Sequence, residues 1–448
     1  ADATSSAEAV VAGQTFTLTT GVDNVVGGGN SDLIIGVVDE TTVANNTYGI
    51  ADVINGGAGS DTLQIAVSDI AAPRTYIPAL VTNTENIRLV NTDANAATID
   101  VTGVAGLESV EASSAVGGAN FTNLSSTATS LKATANVGAV NFGFKSTATV
   151  GESTAIDLHL TSNAGDVTVN TNGSGIESAT ITVSGINSGG SYIGAASALT
   201  SLTVKGTGSL VIDSANDLTA LESLDASENS GGVTYDATAS NVALTGGSGN
   251  DTLTDGAGND TIMGGAGNDA LTGGTGNDHI DGGAGNDTVT LTNVTEDDTV
   301  TGGEGVDTLV LATGTTYTAT ESAGSGISGF EVIATAGASM VQNMSGLGEN
   351  SIAVLAIGGT GASGTIQEGA ISTVVASNSG TAVLGLATDS AADALTVSVG
   401  HSATGSGAKS LALSAQDYET LTISSTGADG NSVTLGTTEA SYLATTAA

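Results

Sequence analysis

Between Gly246 and Thr290 an aspartate returns every nine residues, at Asp251, Asp260, Asp269, Asp278 and Asp287. Glycines precede each one: Gly246, Gly247 and Gly249, then Gly256 and Gly258, then Gly264, Gly265 and Gly267, then Gly273, Gly274 and Gly276, then Gly282, Gly283 and Gly285. Asn250, Asn259, Asn268 and Asn277 stand directly before the first four aspartates. An aliphatic residue follows two places after each aspartate, at Leu253, Ile262, Leu271, Ile280 and Val289. Glycine allows positive φ, so the chain turns tightly and aims its carbonyls at one point. The aspartate adds a hard, charged oxygen. A donor set made only of oxygens suits Ca²⁺, which takes six to eight of them in a flexible shell. Between Gly206 and Gly400 there is no Lys or Arg to offset these carboxylates.

The segment reads GGSGNDTLT, DGAGNDTIM, GGAGNDALT, GGTGNDHID, GGAGNDTVT, and fits G-G-x-G-x-D-x-U-x with Asp255 as the one departure. It resembles the RTX calcium-binding repeat of proteins exported by type I secretion. The resemblance implies a parallel β-roll in which two nonapeptides make a turn and each calcium sits between repeat n and repeat n+2. At least three ions are then expected in the block, two on one edge and one on the other. Without calcium the aspartate columns repel each other, and the roll is expected not to fold. The short x-U-x strands should point U into a narrow core.

Isolated copies occur elsewhere. Gly56–Leu63 and Gly302–Leu309 match the motif and place Asp61 and Asp307 at its carboxylate position. Gly27–Ile34 is degenerate and carries Asp32, and Gly21–Val25 looks like the back half of another copy, with Asp23. Calcium binding is expected at Asp23, Asp32 and Asp61, with plain turns as the alternative. The run Glu296, Asp297 and Asp298 reads as a solvated loop, with an extra calcium site as the alternative.

A longer period positions these loops. Ile87, Val110 and Leu131 lie at the centre of similar apolar–polar alternations, as do Ala179, Leu202 and Leu224, at spacings of about 22 residues. Each alternation is that of a half-buried strand, and the recurrence suits one coil of a parallel β-solenoid. A β-sandwich is the competing architecture, although its turn signals recur more often. The expected fold is therefore all-β: a parallel β-solenoid (β-helix) with an embedded calcium β-roll. Expected regions are 1–70 with the first calcium loops, a solenoid over 71–240 opening on a proline-bearing excursion at 71–84, the roll over 241–310, and a β-rich region over 311–448.

Composition removes whole classes of function. Forty-six acidic residues against 6 Lys and Arg give a net charge of −40. Nucleic-acid binding is excluded, because affinity for phosphate comes mainly from Lys and Arg. Anionic membrane surfaces are disfavoured for the same reason, and no run of 18 apolar residues offers a spanning helix. The absence of Cys removes disulfides, thiol catalysis and thiolate metal sites. The three histidines, His159, His279 and His401, stand far apart and form no H-E-x-x-H. Two G-x-G-x-x-G matches, at Gly324 and Gly359, open no amphipathic helix and read as chance in a glycine-rich chain. No catalytic constellation is expected.

The segments Thr15–Asp23, Asn30–Asp32 and Ala51–Leu63, followed by a Thr/Ala/Val/Gly-rich solenoid and a late block of nonapeptides, look like the lattice-forming domain of RTX S-layer proteins of the RsaA type. That resemblance implies a secreted, calcium-dependent structural protein that assembles with copies of itself at the cell surface. In the family a separate region binds outer-membrane polysaccharide, and no such anchor is visible here. A calcium-dependent filament, adhesin or biofilm-matrix protein is the alternative, and an RTX-bearing hydrolase the less favoured third reading.

Overall fold

In the computed structural model the chain divides into two compact units, Ala1–Leu221 and Glu222–Ala448. The structure describes residues 13–335 apart from 78–79, 126–129, 146–153, 171–175, 188–190, 195–197, 213–217, 238–240, 295–296 and 313–325, and beyond 335 it describes strand residues. Glu296, His401, Gly324 and Gly359 lie outside the described residues.

Each unit is a parallel β-solenoid. In the first, Leu33–Asp39, Thr62–Asp69, Asn86–Asn91, Ser109–Ser113 and Ser130–Thr134 pair in succession, every pair parallel. The opposing sheet stacks Ala97–Asp100, Ala119–Leu124, Val140–Phe144 and Val167–Asn170 in the same manner. Alternation in the sequence sets which residues enter: Ile87, Val110 and Leu131 are buried and stack rung upon rung. Phe121 and Phe142 stack at 5.7 Å between ring centroids and fill the layer between the sheets. The next rung under Leu131 is Leu158, and Ala179 pairs instead with Ile156. The expected column therefore shifts by two residues within the strand Thr154–Thr161, passing from Leu158 to Ile181.

Composition marks regions that pairing does not. Thr62–Asp69 pairs directly with Asn86–Asn91 across residue 70, and in the second unit Ser223–Asn229 pairs with Ala243–Thr245 across residue 240. The expected excursion at 71–84 contributes two strands, Arg74–Tyr76 and Leu80–Thr82, to neighbouring sheets. A 3₁₀ turn at Val43–Asn45 is the one helical element among the described residues, and no helix there is long and apolar enough to cross a membrane.

Over Asn136 to Asn187 the first unit closes its turns with asparagine. Asn136, Asn163 and Asn187 are buried and stacked. The Asn136 backbone N–H and side-chain amide both donate to Asn163 Oδ1, at 3.2 and 2.8 Å, and Asn163 does the same to Asn187, at 3.0 and 3.2 Å. The amide of Asn163 also reaches the Ala133 carbonyl at 2.8 Å. An amide side chain both donates and accepts, so such a column satisfies its buried polar atoms by itself.

Candidate metal centre

The nonapeptide loops build the same kind of column from carboxylates. Strands Ala243–Thr245, Thr261–Ala266, His279–Ala284 and Thr299–Glu304 form one sheet of the roll, and Thr252–Thr254, Ala270–Gly273, Thr288–Leu291 and Thr308–Leu311 form the other. Leu253, Ile262, Leu271, Ile280 and Val289 are all buried between them, and the aliphatic position of each repeat packs the core. Eighteen residues separate equivalent atoms in successive turns, so two nonapeptides make one turn and repeat n faces repeat n+2.

On the first edge, the backbone N–H of Asp251 donates to Asp269 Oδ1, that of Asp269 to Asp287 Oδ1, and that of Asp287 to Asp307 Oδ1, each at 2.8 Å. On the second edge Asp260 donates to Asp278 Oδ1 at 3.1 Å. Each accepting aspartate thus spends one oxygen on holding the preceding turn in register. The other oxygen is left over: Oδ2 of Asp260, Asp269, Asp287 and Asp307 is buried and accepts no hydrogen bond. A carboxylate has only acceptors, so the column cannot satisfy itself as asparagines do. A buried, unpaired charge is expensive, and these four oxygens call for a cation.

Glycine supplies the remaining donors. A Cβ placed on Gly246, Gly264 or Gly282 would come closer than 3.0 Å both to Oδ2 of its own loop's aspartate and to a glycine carbonyl of the following turn. The missing side chain therefore leaves a cradle on which a carboxylate and a carbonyl converge. Gly265 and Gly267 hold φ of 105° and 120°, as do their equivalents Gly256, Gly258, Gly276, Gly283 and Gly285 with similar positive values, so these turns need glycine. Gly247, Gly249, Gly273 and Gly274 complete the loops without positive φ.

Electrostatics records the strain. Burial pushes the Asp269 carboxyl up to about 7, with Asp251 and Asp287 adding their charge. Burial likewise raises Asp251, Asp260, Asp278, Asp287 and Asp307. By contrast Asp39, whose oxygens accept from Asn45, Thr41 and Thr42, is held below the usual carboxylate range.

The N-terminal copies repeat the arrangement in part. Asp32 donates its backbone N–H to Asp61 Oδ1 at 2.6 Å, both side chains are buried, and Asp61 Oδ2 is again without a partner. Gly27 and Gly56 form the same glycine cradles against Asp32 and Asp61. Asp23 lies elsewhere, beside the small sheet of Asn24–Val26 and Val53–Asn55. Both its oxygens accept from Thr19, at 2.7 and 2.9 Å, and its backbone donates to the buried Asp52. The structure gives Asp23 a turn-closing contact and does not bring it into the Asp32–Asp61 column.

The asparagines take a different part from that of their neighbours. Oδ1 of Asn250, Asn259 and Asn268 accepts the backbone N–H of Asn268, Asn277 and Asn286 respectively, at 2.8 to 3.1 Å, in exposed positions. Their side chains clamp successive turns outside the carboxylate column, and Asn277 reaches Asp297 at 3.1 Å.

Four acidic residues join the columns unanticipated by the repeat pattern. Asp298, expected in a solvated loop, is buried and accepts the backbone N–H of Asp278 at 2.9 Å, which extends the second edge by a rung. Asp297, the other described residue of that run, is exposed as expected. The insertion before Asp298 lengthens the turn to 20 residues and hides it from a nine-residue register. Glu85 and Glu331 end their columns by accepting from Asp61 and Asp307, each at 2.8 Å and each 24 residues on. That shared spacing was the available signal. Asp255, the departure from consensus, is fully buried and lies with Asp260 and Asp278 so that one oxygen of each falls within 4.8 Å of the others.

The model of the RTX calcium-binding nonapeptide repeat matches the chain in four stretches, 50–64, 243–271, 263–291 and 295–315. The chain carries RTX calcium-binding repeats. They coincide with the Asp61 loop, the roll and the Asp298–Asp307 turns. No curated protein matches the chain. The donor set fits calcium on its own chemistry: carboxylate and carbonyl oxygens only, with orphaned buried Oδ2 atoms at the cradles.

Proposed function

We propose that this is a secreted, calcium-dependent structural protein that assembles with copies of itself into a two-dimensional surface layer, and that it is not an enzyme. The observation that carries the reading is the column of buried aspartates with unpaired Oδ2 atoms, in a stretch from Gly206 to Gly400 that has no Lys or Arg. Calcium held between successive turns would satisfy those oxygens and fix the roll after export. Each interior aspartate would serve two ions, and the added rungs at Asp298 and Asp307 raise the expected number above three. At −40 the chains repel one another at long range. Bound calcium lowers that repulsion and lets long solenoid faces pack side by side. Aromatic anchors for a hydrophobic interface are scarce, at 3% of residues. Cell-surface polysaccharide would be reached through a region outside this fold.

Negative-stain microscopy of the protein after calcium is restored to an EDTA-treated sample tests the proposal. Ordered sheets are expected. Fibres would favour a filament or matrix protein, which needs one interface that does not close. Dispersed monomers at saturating calcium would end the assembly reading.

A further inference from the structure

The two edges of the roll are not chemically equal. On the first edge, the leading glycines Gly246, Gly264 and Gly282 let a glycine carbonyl of the next turn approach the aspartate Oδ2. On the second edge that approach is not repeated: a Cβ on Gly273 would meet the side chains of Ile280 and Leu291. The corresponding position one turn earlier is Asp255. Its Oδ1 accepts the backbone N–H of Gly274 at 2.6 Å, which aims the carboxylate along the edge. Its Oδ2 is buried and unpartnered, as is Oδ2 of Asp260. Asp255 is 0% exposed, Asp260 2% and Asp278 5%, so water is no substitute partner for three carboxylates this close.

We propose that Asp255 is itself a calcium ligand, and that it turns the position between the second and fourth repeats into a three-carboxylate site that binds calcium more tightly than any other in the roll. The inference rests on the calcium reading above. The physical reason is charge count. A first-edge position joins two carboxylates to main-chain carbonyls, whereas this one gathers three carboxylates around one cation. Calcium affinity rises with the number of charged ligands when the cage stays flexible enough for the ion. Asp255 therefore adds an anionic oxygen at the position where the other four repeats carry glycine.

Calcium titration of the full chain by calorimetry tests this, with Asp255→Gly, Asp255→Asn and Asp236→Asn. Asp255 has no left-handed backbone, and glycine restores the residue that the other four repeats carry, so the first variant keeps the fold. Asparagine keeps the acceptor for Gly274 and removes only the charge. Asp236 is exposed, pairs with Thr254 beside Asp255, and controls for loss of one charge nearby. Both Asp255 variants are expected to weaken the tightest binding step by roughly tenfold or more, with the weaker steps unchanged and Asp236→Asn like the parent. An unchanged tightest step, a tighter one in Asp255→Gly, or an equal loss in Asp236→Asn would overturn the inference. Parent protein that binds no calcium would overturn the calcium reading itself, a result distinguishable from the others.

Discussion

At the level of single residues, the division of labour within each carboxylate decides the behaviour of the roll. Asp269 holds the turn of Asp251 through one oxygen and offers the other, unpaired, toward the cradle at Gly264. It stands between Asp251 and Asp287, so Asp269→Ala should cost about two bound ions. Asp297→Ala, at an exposed position outside the column, should cost none. Calorimetric stoichiometry checks the pair, and equal loss from both would mean the register of the sites is wrong. Protons offer a second handle. In the calcium-free fold, burial raises Asp269 and Asp255 to about 7, above the value of about 3.9 for an unfolded aspartate. The folded roll then binds more protons than the unfolded chain. The stability these groups contribute is complete below about 4 and is lost as pH rises through about 7. In EDTA, circular dichroism should therefore show more β structure at pH 5 than at pH 8. A flat profile would contradict the burial of these charges. With calcium bound the sign reverses, because protons compete for the same oxygens.

Among the structural elements, the contrast is between two ways of closing a solenoid turn. Asn136, Asn163 and Asn187 satisfy each other, whereas the aspartate columns need an ion. Asn163→Ala removes donors to Asn187 and Ala133 and leaves buried partners unsatisfied, so it should destabilise the first unit by about 1–3 kcal/mol. That loss should be the same with calcium or with EDTA, as measured by urea unfolding followed by tryptic susceptibility. A calcium-dependent loss would mean that the asparagine column does not stand alone. The sequence announces these elements unevenly. Leu253 to Val289 declare the roll because nine-residue periodicity sets burial directly. Ile87, Val110 and Leu131 declare the coil for the same reason. The column then passes through Leu158 to Ile181 rather than to Ala179, because strand pairing and not motif spacing sets the register. Asp298 was hidden by the two extra residues in its turn, and Glu85 and Glu331 by having the longer side chain. Asp255 was visible as an anomaly, but only folding shows that it joins Asp260 and Asp278.

At the level of the whole molecule, composition and architecture agree. A net charge of −40 works against compact packing through self-repulsion, and neutralising the acidic columns locally would lessen it. Ten aspartates fall between Asp251 and Asp307 with no positive side chain among them. Magnesium should replace calcium poorly, because it demands tight octahedral geometry and keeps its waters. Monovalent salt screens repulsion but cannot order Asp-Gly loops. Light scattering should accordingly rise steeply with calcium and stay at the monomer level in high NaCl with EDTA. Assembly under the latter condition would mean that screening alone suffices.

Calcium should satisfy the unpaired Asp oxygens and so hold the roll, while the asparagine-closed coils should need no metal. Hydrogen exchange read peptide by peptide by mass spectrometry, in calcium and in excess EDTA, addresses both halves together. The strands from Ala243–Thr245 to Thr308–Leu311 should lose protection in EDTA and regain it with calcium, whereas Ser109–Ser113 through Val167–Asn170 should stay protected in both. Undiminished protection across the roll in EDTA would contradict it.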